Sequence, residues 1–280
     1  MENKLELVFS STLEAGENPL WDSRRNTFHF LDILGCAIYE IRGTDVRKRD
    51  LPQQIGFLAF CENGDLLLGL CDGIYRMDET GNITLAHQEL KIKGRRFNDG
   101  KVGPDGALYV GTTDYNGEGA FYRLRDGHLT ELFDKCACSN GLDWTRDGKR
   151  MFYIDSPRQM VEVFDFDATT GELYARRKFC DIPKAWGLPD GMTLDENDNL
   201  WVALWGGHRV IHIDKETGEV IDEIRVPCPK ASSCAFGGED MKELYITTAA
   251  KDDLPQYADA GNIFKVSVGV KGKETNYYKW

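Results

Sequence analysis

At 280 residues, with 46 Asp and Glu against 34 Lys and Arg, the chain carries a formal charge of −12, which argues against nucleic acid or an anionic membrane as a partner. Its length suffices for one large domain with a sizeable core, and no apolar run approaches the ~20 residues of a membrane span. The eight cysteines have no disulfide-framework spacing, and Met1-Glu2-Asn3-Lys4 lacks the basic and apolar regions of a signal peptide, so reduced thiols and a cytoplasmic location are expected.

The first element in chain order is an isolated strand, Leu5-Glu6-Leu7-Val8-Phe9, in which Leu5, Leu7 and Phe9 alternate with Glu6 and Val8. Such alternation predicts one better-buried face. The strand is expected to pair at the far end of the chain, beside Asn262-Ile263-Phe264-Lys265-Val266.

After it comes a plan that recurs: a polar residue on a loop, a glycine or small residue, a short apolar strand, a polar turn and a second strand. The clearest copy is Pro189-Asp190-Gly191-Met192-Thr193-Leu194-Asp195, leading to Asn199-Leu200-Trp201-Val202-Ala203. Asn98-Asp99-Gly100 leads to Leu108-Tyr109-Val110, and Ser139-Asn140-Gly141 leads to Met151-Phe152-Tyr153-Ile154. Fainter copies begin near Glu17, Gly56 and Ser233. Third strands follow at 73–77, 120–124, 161–165 and 209–213, and hairpin turns are signalled by Asp126-Gly127, Asp147-Gly148, Thr170-Gly171 and Thr217-Gly218.

No helix-period stretch and no Pro/Gly/Ser-rich linker interrupts this rhythm. A strand-and-turn repeat of roughly forty residues predicts propeller blades. The expected fold is all-β: a single domain over 1–280, a six-bladed β-propeller with four-stranded antiparallel blades, closed by the N-terminal strand. Two connections exceed what the repeat needs, at 181–189 and 250–260, and with 115–119 in the third blade they are expected to rim one mouth of the channel.

In a propeller the six repeat anchors converge on one axis. They are Glu17, Gly56, Asp99, Asn140, Asp190 and Ser233, and four of the six bear carboxylate or amide oxygens. Converging oxygens suit a hard divalent cation. Glu17, Asn140 and Asp190 supply two charges and one neutral oxygen, and Asn98 and Asp99 lie near enough to join or to receive a substrate hydroxyl. The competing explanation is that Asp-Gly and Asn-Gly are only turns at the start of strands.

The motifs Gly16-Glu17-Asn18-Pro19-Leu20-Trp21-Asp22, Arg96-Phe97-Asn98-Asp99-Gly100-Lys101, Ser139-Asn140-Gly141-Leu142-Asp143-Trp144, Tyr153-Ile154-Asp155-Ser156 and Pro189-Asp190-Gly191 resemble those of the senescence marker protein (regucalcin)/gluconolactonase/luciferin-regenerating enzyme family. Leu200-Trp201-Val202-Ala203, Cys234-Ala235-Phe236-Gly237-Gly238 and Gly269-Val270-Lys271-Gly272 match as well, so the resemblance spans nearly the whole chain.

The resemblance implies one divalent cation in the channel on Glu17, Asn140 and Asp190, with Ca²⁺ foremost and Zn²⁺, Mg²⁺ or Mn²⁺ as alternatives. It places Arg96 and Asn98 against the substrate, and Asp99 is carried with them as a candidate for binding or catalysis. The expected function is ring-opening hydrolysis of a sugar lactone: the cation polarises the carbonyl and activates water, and Asp190 or Asp99 is the general base. The alternatives are a non-catalytic calcium-binding regulatory propeller, and a propeller esterase or phosphotriesterase acting on another lactone-like substrate. Where many relatives carry Met and acidic residues in the third blade, this chain has Thr112-Thr113-Asp114-Tyr115, so the particular lactone does not transfer. A small-molecule sugar lactone is the expected partner, with no nucleic acid, no membrane and a monomer or weak homo-oligomer.

Other features have plainer readings. Asp165-Phe166-Asp167-Ala168-Thr169-Thr170-Gly171 resembles the start of a helical Ca²⁺ loop but reads as a hairpin turn, its glycine being one place late. Cys136 and Cys138 read as packing thiols, and His29 and His212 as strand residues. His208, Trp186 and Trp205 are candidates for the edge or lining of the pocket.

Overall fold

Twenty-four strands, among the residues described by the computed structural model (4–87 and 95–280), make six four-stranded antiparallel sheets. Strand β1 (Glu6–Phe9) precedes blade one, which is β2 (Gly16–Asp22), β3 (Thr27–Asp32), β4 (Ala37–Arg42) and β5 (Asp45–Asp50). Blade two is β6 (Ile55–Phe60), β7 (Leu66–Leu70), β8 (Ile74–Met77) and β9 (Ile83–His87). Blade three follows with β10 (Arg96–Val102), β11 (Leu108–Thr113), β12 (Gly119–Arg125) and β13 (His128–Cys136). Blade four is β14 (Ser139–Trp144), β15 (Arg150–Asp155), β16 (Met160–Asp167) and β17 (Glu172–Asp181), and blade five is β18 (Leu188–Leu194), β19 (Leu200–Trp205), β20 (Arg209–Ile213) and β21 (Val220–Arg225). Blade six takes β22 (Ala231–Gly237), β23 (Glu243–Thr248) and β24 (Ile263–Ser267) from the end of the chain and β1 from its start.

The chain is therefore a six-bladed β-propeller. Its only helical pieces among the described residues are 3-10 turns at Ser156–Arg158 and Lys184–Trp186. The expected N-terminal closure is found, since β1 pairs antiparallel with β24. The expected face of β1 is corrected. A bulge between Leu7 and Phe9 breaks the alternation, because an extra residue rotates the strand past it. Leu7 is left 55% exposed, whereas Leu5, Val8 and Phe9 pack against the core. The segment Met1-Glu2-Asn3, on which the signal-peptide reading rests, lies outside the described residues.

Burial explains the residue types along each blade. The second strands β3, β7, β11 and β19 are almost wholly buried, with blades packed on both faces, so they read as near-continuous apolar runs. Outermost β5, Asp-Val-Arg-Lys-Arg-Asp, is exposed throughout, and its charge discourages pairing with other chains. Six apolar clusters sit one between each pair of neighbouring blades. In the cluster that closes the ring, Trp21 and Phe28 of blade one stack on Tyr245 of blade six at centroid distances of 5.7 and 4.4 Å.

The residues after Ser267 form a second closure that the sequence did not announce. This tail runs across the channel end where the innermost strands finish. Gly272 N–H donates to Met241 O (2.8 Å) in blade six, and Glu196 N–H of blade five donates to Lys271 O (2.7 Å). Lys273 Nζ donates to Asp143 Oδ1 (2.9 Å) in blade four, Thr275 Oγ1 to Trp21 O (3.0 Å) in blade one, and Asn276 Nδ2 to Val102 O (3.1 Å) in blade three. Tyr278 N–H donates to Phe60 O (2.8 Å) in blade two, and its fully buried side chain joins the cluster between blades two and three. Every blade is tied to the tail.

Candidate functional site

All six anchors lie on the first strand of their blade, and each innermost strand pair carries a register irregularity at or beside the anchor. The shifts fall between Glu17 and Leu20, Ile55 and Phe57, Phe97 and Gly100, Ser139 and Leu142, Pro189 and Met192, and Ala231 and Ser233. The anchors thus sit in bulged strand rather than on a loop before it. A bulge re-aims a side chain out of the alternation, here away from the interblade cores. The following glycine has a different reason from the turn suggested by the sequence. Gly100, Gly141 and Gly191 do not adopt left-handed φ. A Cβ on Gly141 would lie 2.7 Å from both Asp190 O and Met192 N of the next blade, closer than backbone atoms permit. Near the axis the blades touch backbone to backbone, and glycine is what fits.

Five of the predicted residues meet at one cavity of about 200 Å³. Glu17, Arg96, Asn98, Asn140 and Asp190 all line it. Asp99 does not; it sits beside the cavity, accepting a hydrogen bond from Asn18 Nδ2 (3.4 Å). The segments at 115–119, 181–189 and 250–260 each supply a rim residue, Tyr115, Leu188 and Lys251, and Trp205 lines the wall. Trp186 does not reach it and lies beside Arg209, whose guanidinium is 5.8 Å from its ring centroid. His208 is absent from the lining and packs against Tyr257. His212 is buried against Trp201 and Asp195. At ~30 Å³ per water, the cavity suits a ligand the size of a single small ring. A larger cavity of about 590 Å³ lies at the tail end of the channel. Its carboxylate Asp143 is held below the usual range: burial would raise it, and Lys101 and Lys273 outweigh that.

A hydrogen-bond chain runs across three blades along the cavity wall. Arg96 Nη1 donates to Asn98 Oδ1 (2.7 Å), Asn98 Nδ2 donates to Asn140 Oδ1 (2.7 Å), and Asn140 Nδ2 donates to Ser156 Oγ (2.7 Å). Ser156 Oγ–H in turn donates to Pro189 O (2.6 Å), next to Asp190. Each amide is therefore fixed in orientation, its oxygen and nitrogen assigned by its neighbours. Cys138, expected only to pack, lines the cavity with Sγ 3.6 Å from Asn140 Nδ2 and 3.8 Å from Asn98 Nδ2. Cys136 is a packing thiol as expected, against Tyr153.

Sequence reasoning assigned no role to Asn18, Asp155 or Ser156, although all three lie inside quoted motifs. Asn18 has the left-handed φ of 47°, which Asn tolerates better than most residues. From there its backbone N–H caps Glu17 Oε2 (3.0 Å) and its Oδ1 accepts from Leu58 N–H (2.9 Å), joining blades one and two. Asp155 accepts from Cys138 N–H (2.7 Å) and Asp32 from Ala15 N–H (3.0 Å). In each case a carboxylate ending the second strand holds the backbone two residues before an anchor.

Glu17 and Asp190 are like charges in a buried setting. Burial, then Asp99, pushes the Glu17 carboxyl up to about 8, against the Asn18 N–H and Arg96. Burial, then Glu17 and Asp99, pushes Asp190 well above the ordinary carboxylate range.

Comparison with known proteins gives the family. A sequence model described as the SMP-30/Gluconolactonase/LRE-like region matches residues 15–250. The chain belongs to the SMP-30/gluconolactonase/LRE-like family. It is 35% identical over 287 residues to the regucalcin of Gallus gallus, covering 96% of each chain. It is 35% identical over 269 residues to a Bacillus subtilis (strain 168) protein named "Putative sugar lactone lactonase YvrE", covering 92% of each. The crystal structure of a calcium-binding protein, regucalcin, from Agrobacterium tumefaciens superposes with a TM-score of 0.93 at 26% identity, covering 99% of this chain and 98% of the other.

The residues present fit a divalent cation. Two carboxylates without enough counter-charge face one cavity, and Asn140 Oδ1, with one lone pair given to Asn98, retains another. No group of three or more His, Cys, Asp or Glu side chains among the described residues is arranged to hold a metal, so the third protein ligand would be the amide. Hard oxygen donors of this mix suit Ca²⁺ or Mg²⁺.

Proposed function

We propose that this protein hydrolyses a sugar lactone with one divalent cation held by Glu17, Asn140 and Asp190. The observation that carries this reading is that these three residues line one small cavity together with Arg96 and Asn98. Family membership and the name of the Bacillus relative support the same chemistry. When bound, the cation would polarise the lactone carbonyl, stabilise the developing oxyanion and acidify water.

The chain's own residues would do the rest. Asp190, for which no hydrogen-bond donor is found among the described residues, takes the proton from the attacking water and returns it to the ring oxygen as the C–O bond breaks. Asp99, outside the lining, is the less direct candidate for that role and is better placed to influence Glu17 and Asp190 by charge. Arg96, with guanidinium N–H groups beyond those bonded to Phe97 O and Asn98 Oδ1, and Asn98 hold sugar hydroxyls. Tyr115, Leu188 and Trp205 narrow the mouth, which favours a monosaccharide-sized ring over a polymer.

Acid release from a panel of sugar lactones, followed by pH-stat with and without chelator, tests this proposal. Calcium- or magnesium-dependent turnover that Asp190→Ala abolishes is expected. Turnover unaffected by chelator, or no lactone opened with any divalent cation, would overturn it. The latter result would favour the non-catalytic calcium-binding propeller, and activity confined to phosphorus or simple esters would favour the esterase alternative.

A further inference from the structure

A third cavity, of about 580 Å³, lies between blades one and two and shares no lining residue with the candidate site. The register of blade one builds one of its walls. His29, Glu40 and Arg47 form one row across β3, β4 and β5, and Leu31, Ile38 and Arg49 form the next. Side chains two residues apart share a face, so Arg42, Arg47 and Arg49 stand together. Arg25 and Lys48 also line the cavity, but both are committed: Arg25 to Glu79 (2.7 Å) and Asp22 (3.3 Å), Lys48 to Asp50 (2.7 Å). Arg42 and Arg47 have no carboxylate within ion-pair distance among the described residues, and Arg49 donates only to Gly81 O (3.1 Å). Three guanidinium groups thus remain for an external anion, although the same lining carries the carboxylates of Glu40, opposite Arg47, of Asp78, and of Glu79, which is paired with Arg25.

The opposite wall and floor are of another kind. Half-buried Met77 of blade two gives an apolar surface, joined by the edges of the largely buried Leu66 (9% exposed) and Ile38 (4% exposed). His29, 6% exposed, lines the same space; its Nε2 pairs with Thr27 Oγ1 (2.8 Å), while its Nδ1 has no partner among the described residues. A charged edge strand serves against aggregation with charge alone, and that role needs neither a cavity nor a mixed lining.

We propose that this groove is a binding site for a nucleoside di- or triphosphate, its phosphoryl groups on Arg42, Arg47 and Arg49 and its base against Ile38, Leu66 and Met77. Guanidinium forks match phosphate oxygens in pairs, and the volume lies in the range of small-molecule sites. A nucleic acid is disfavoured because the net negative charge repels an extended polyanion, whereas a small anion inside the groove is screened from distant charge within ~8 Å at physiological salt. The inference stands independently of the lactonase reading.

The test is fluorescence anisotropy of mant-ADP, a fluorescent ADP analogue, on the full chain at ~0.15 M ionic strength, with competition by ADP, inorganic pyrophosphate and adenosine. Saturable binding is expected, displaced by ADP better than by pyrophosphate and least by adenosine. Arg47→Ala/Arg49→Ala should weaken it by at least about tenfold, and Arg47→Lys/Arg49→Lys should recover only part, because the fork is lost while the charge is kept. A parental melting temperature would show that the variants are folded. Absence of binding at millimolar probe, undiminished binding by the alanine variant, full recovery by the lysine variant, or equal displacement by pyrophosphate and ADP would each overturn the assignment.

Discussion

Asn98 donates its Nδ2 to Asn140 Oδ1 across 2.7 Å, and through that bond blade three sets the direction in which blade four presents its amide oxygen. A residue read as substrate-binding is thereby also the support of a candidate cation ligand. Asn98→Ala should weaken calcium binding by roughly tenfold or more, in the range seen for lost outer partners of metal ligands. Arg96→Ala, one bond further away, should leave calcium affinity within about twofold while raising KM for hydroxylated lactones. Calorimetric calcium titration of the two variants checks this, and equal losses would contradict the division of labour.

Cation binding should expel protons. With its carboxyl pushed up to about 8, Glu17 is mostly protonated at pH 7 in chelated protein. Calcium added to an unbuffered solution at pH 7 should release about one proton or more per site. Apparent affinity should rise with pH through about 8, where Glu17 loses its proton, and Asp190, also raised, extends that rise. Glu17→Gln should reduce both effects, leaving the part due to Asp190, and a pH-stat record showing no difference between parent and variant would contradict the placement of Glu17 at the ion.

Acid should weaken the fold through His29. Burial pushes its imidazole down from 6.5 to about 4, so between those values the unfolded chain binds the extra proton. Stability is then fully present above pH 6.5 and is lost as pH falls toward 4, by up to about 3 kcal/mol at 1.36 kcal/mol per unit. His29→Gln should flatten the urea-unfolding free energy across that window. A parental slope in the variant would place the effect elsewhere.

Gly141→Ala tests the close approach of blades at the axis. The new methyl group meets backbone atoms of Asp190 and Met192, which cannot swing aside as a side chain would. A loss of about 1–3 kcal/mol is expected, typical of overpacking, together with impaired calcium binding because Asp190 is displaced. At the other end of the channel, Tyr278→Ala should cost about as much as other buried aromatic truncations, ~3–5 kcal/mol, and leave calcium affinity unchanged. Thermal melts and calcium titrations of both variants separate the two ends of the ring.

The sequence by itself determined the blade count, the four-stranded plan, the pairing of the first strand with the last blade, and the polar anchors. Those features are periodic, and periodicity is visible one residue at a time: apolar pairs, hairpin turns, an Asp or Asn before a glycine. Which anchors share a cavity was decided only by the tertiary structure. Asp99 and Asp190 look equivalent in the repeat, yet both blades carry the same bulge, in which Asn98 takes the position of Asp190 and Asp99 comes one residue later; a one-residue offset re-aims a side chain, so Asn98 lines the cavity and Asp99 lies beside it. The role of Asn18 depends on a left-handed backbone and on the amide of Leu58 forty residues on, and that of Ser156 on a carbonyl in the next blade. The tail that touches all six blades has no repeat to announce it. Such contacts join residues far apart in the chain, so no local pattern encodes them, and they exist only once the ring has closed.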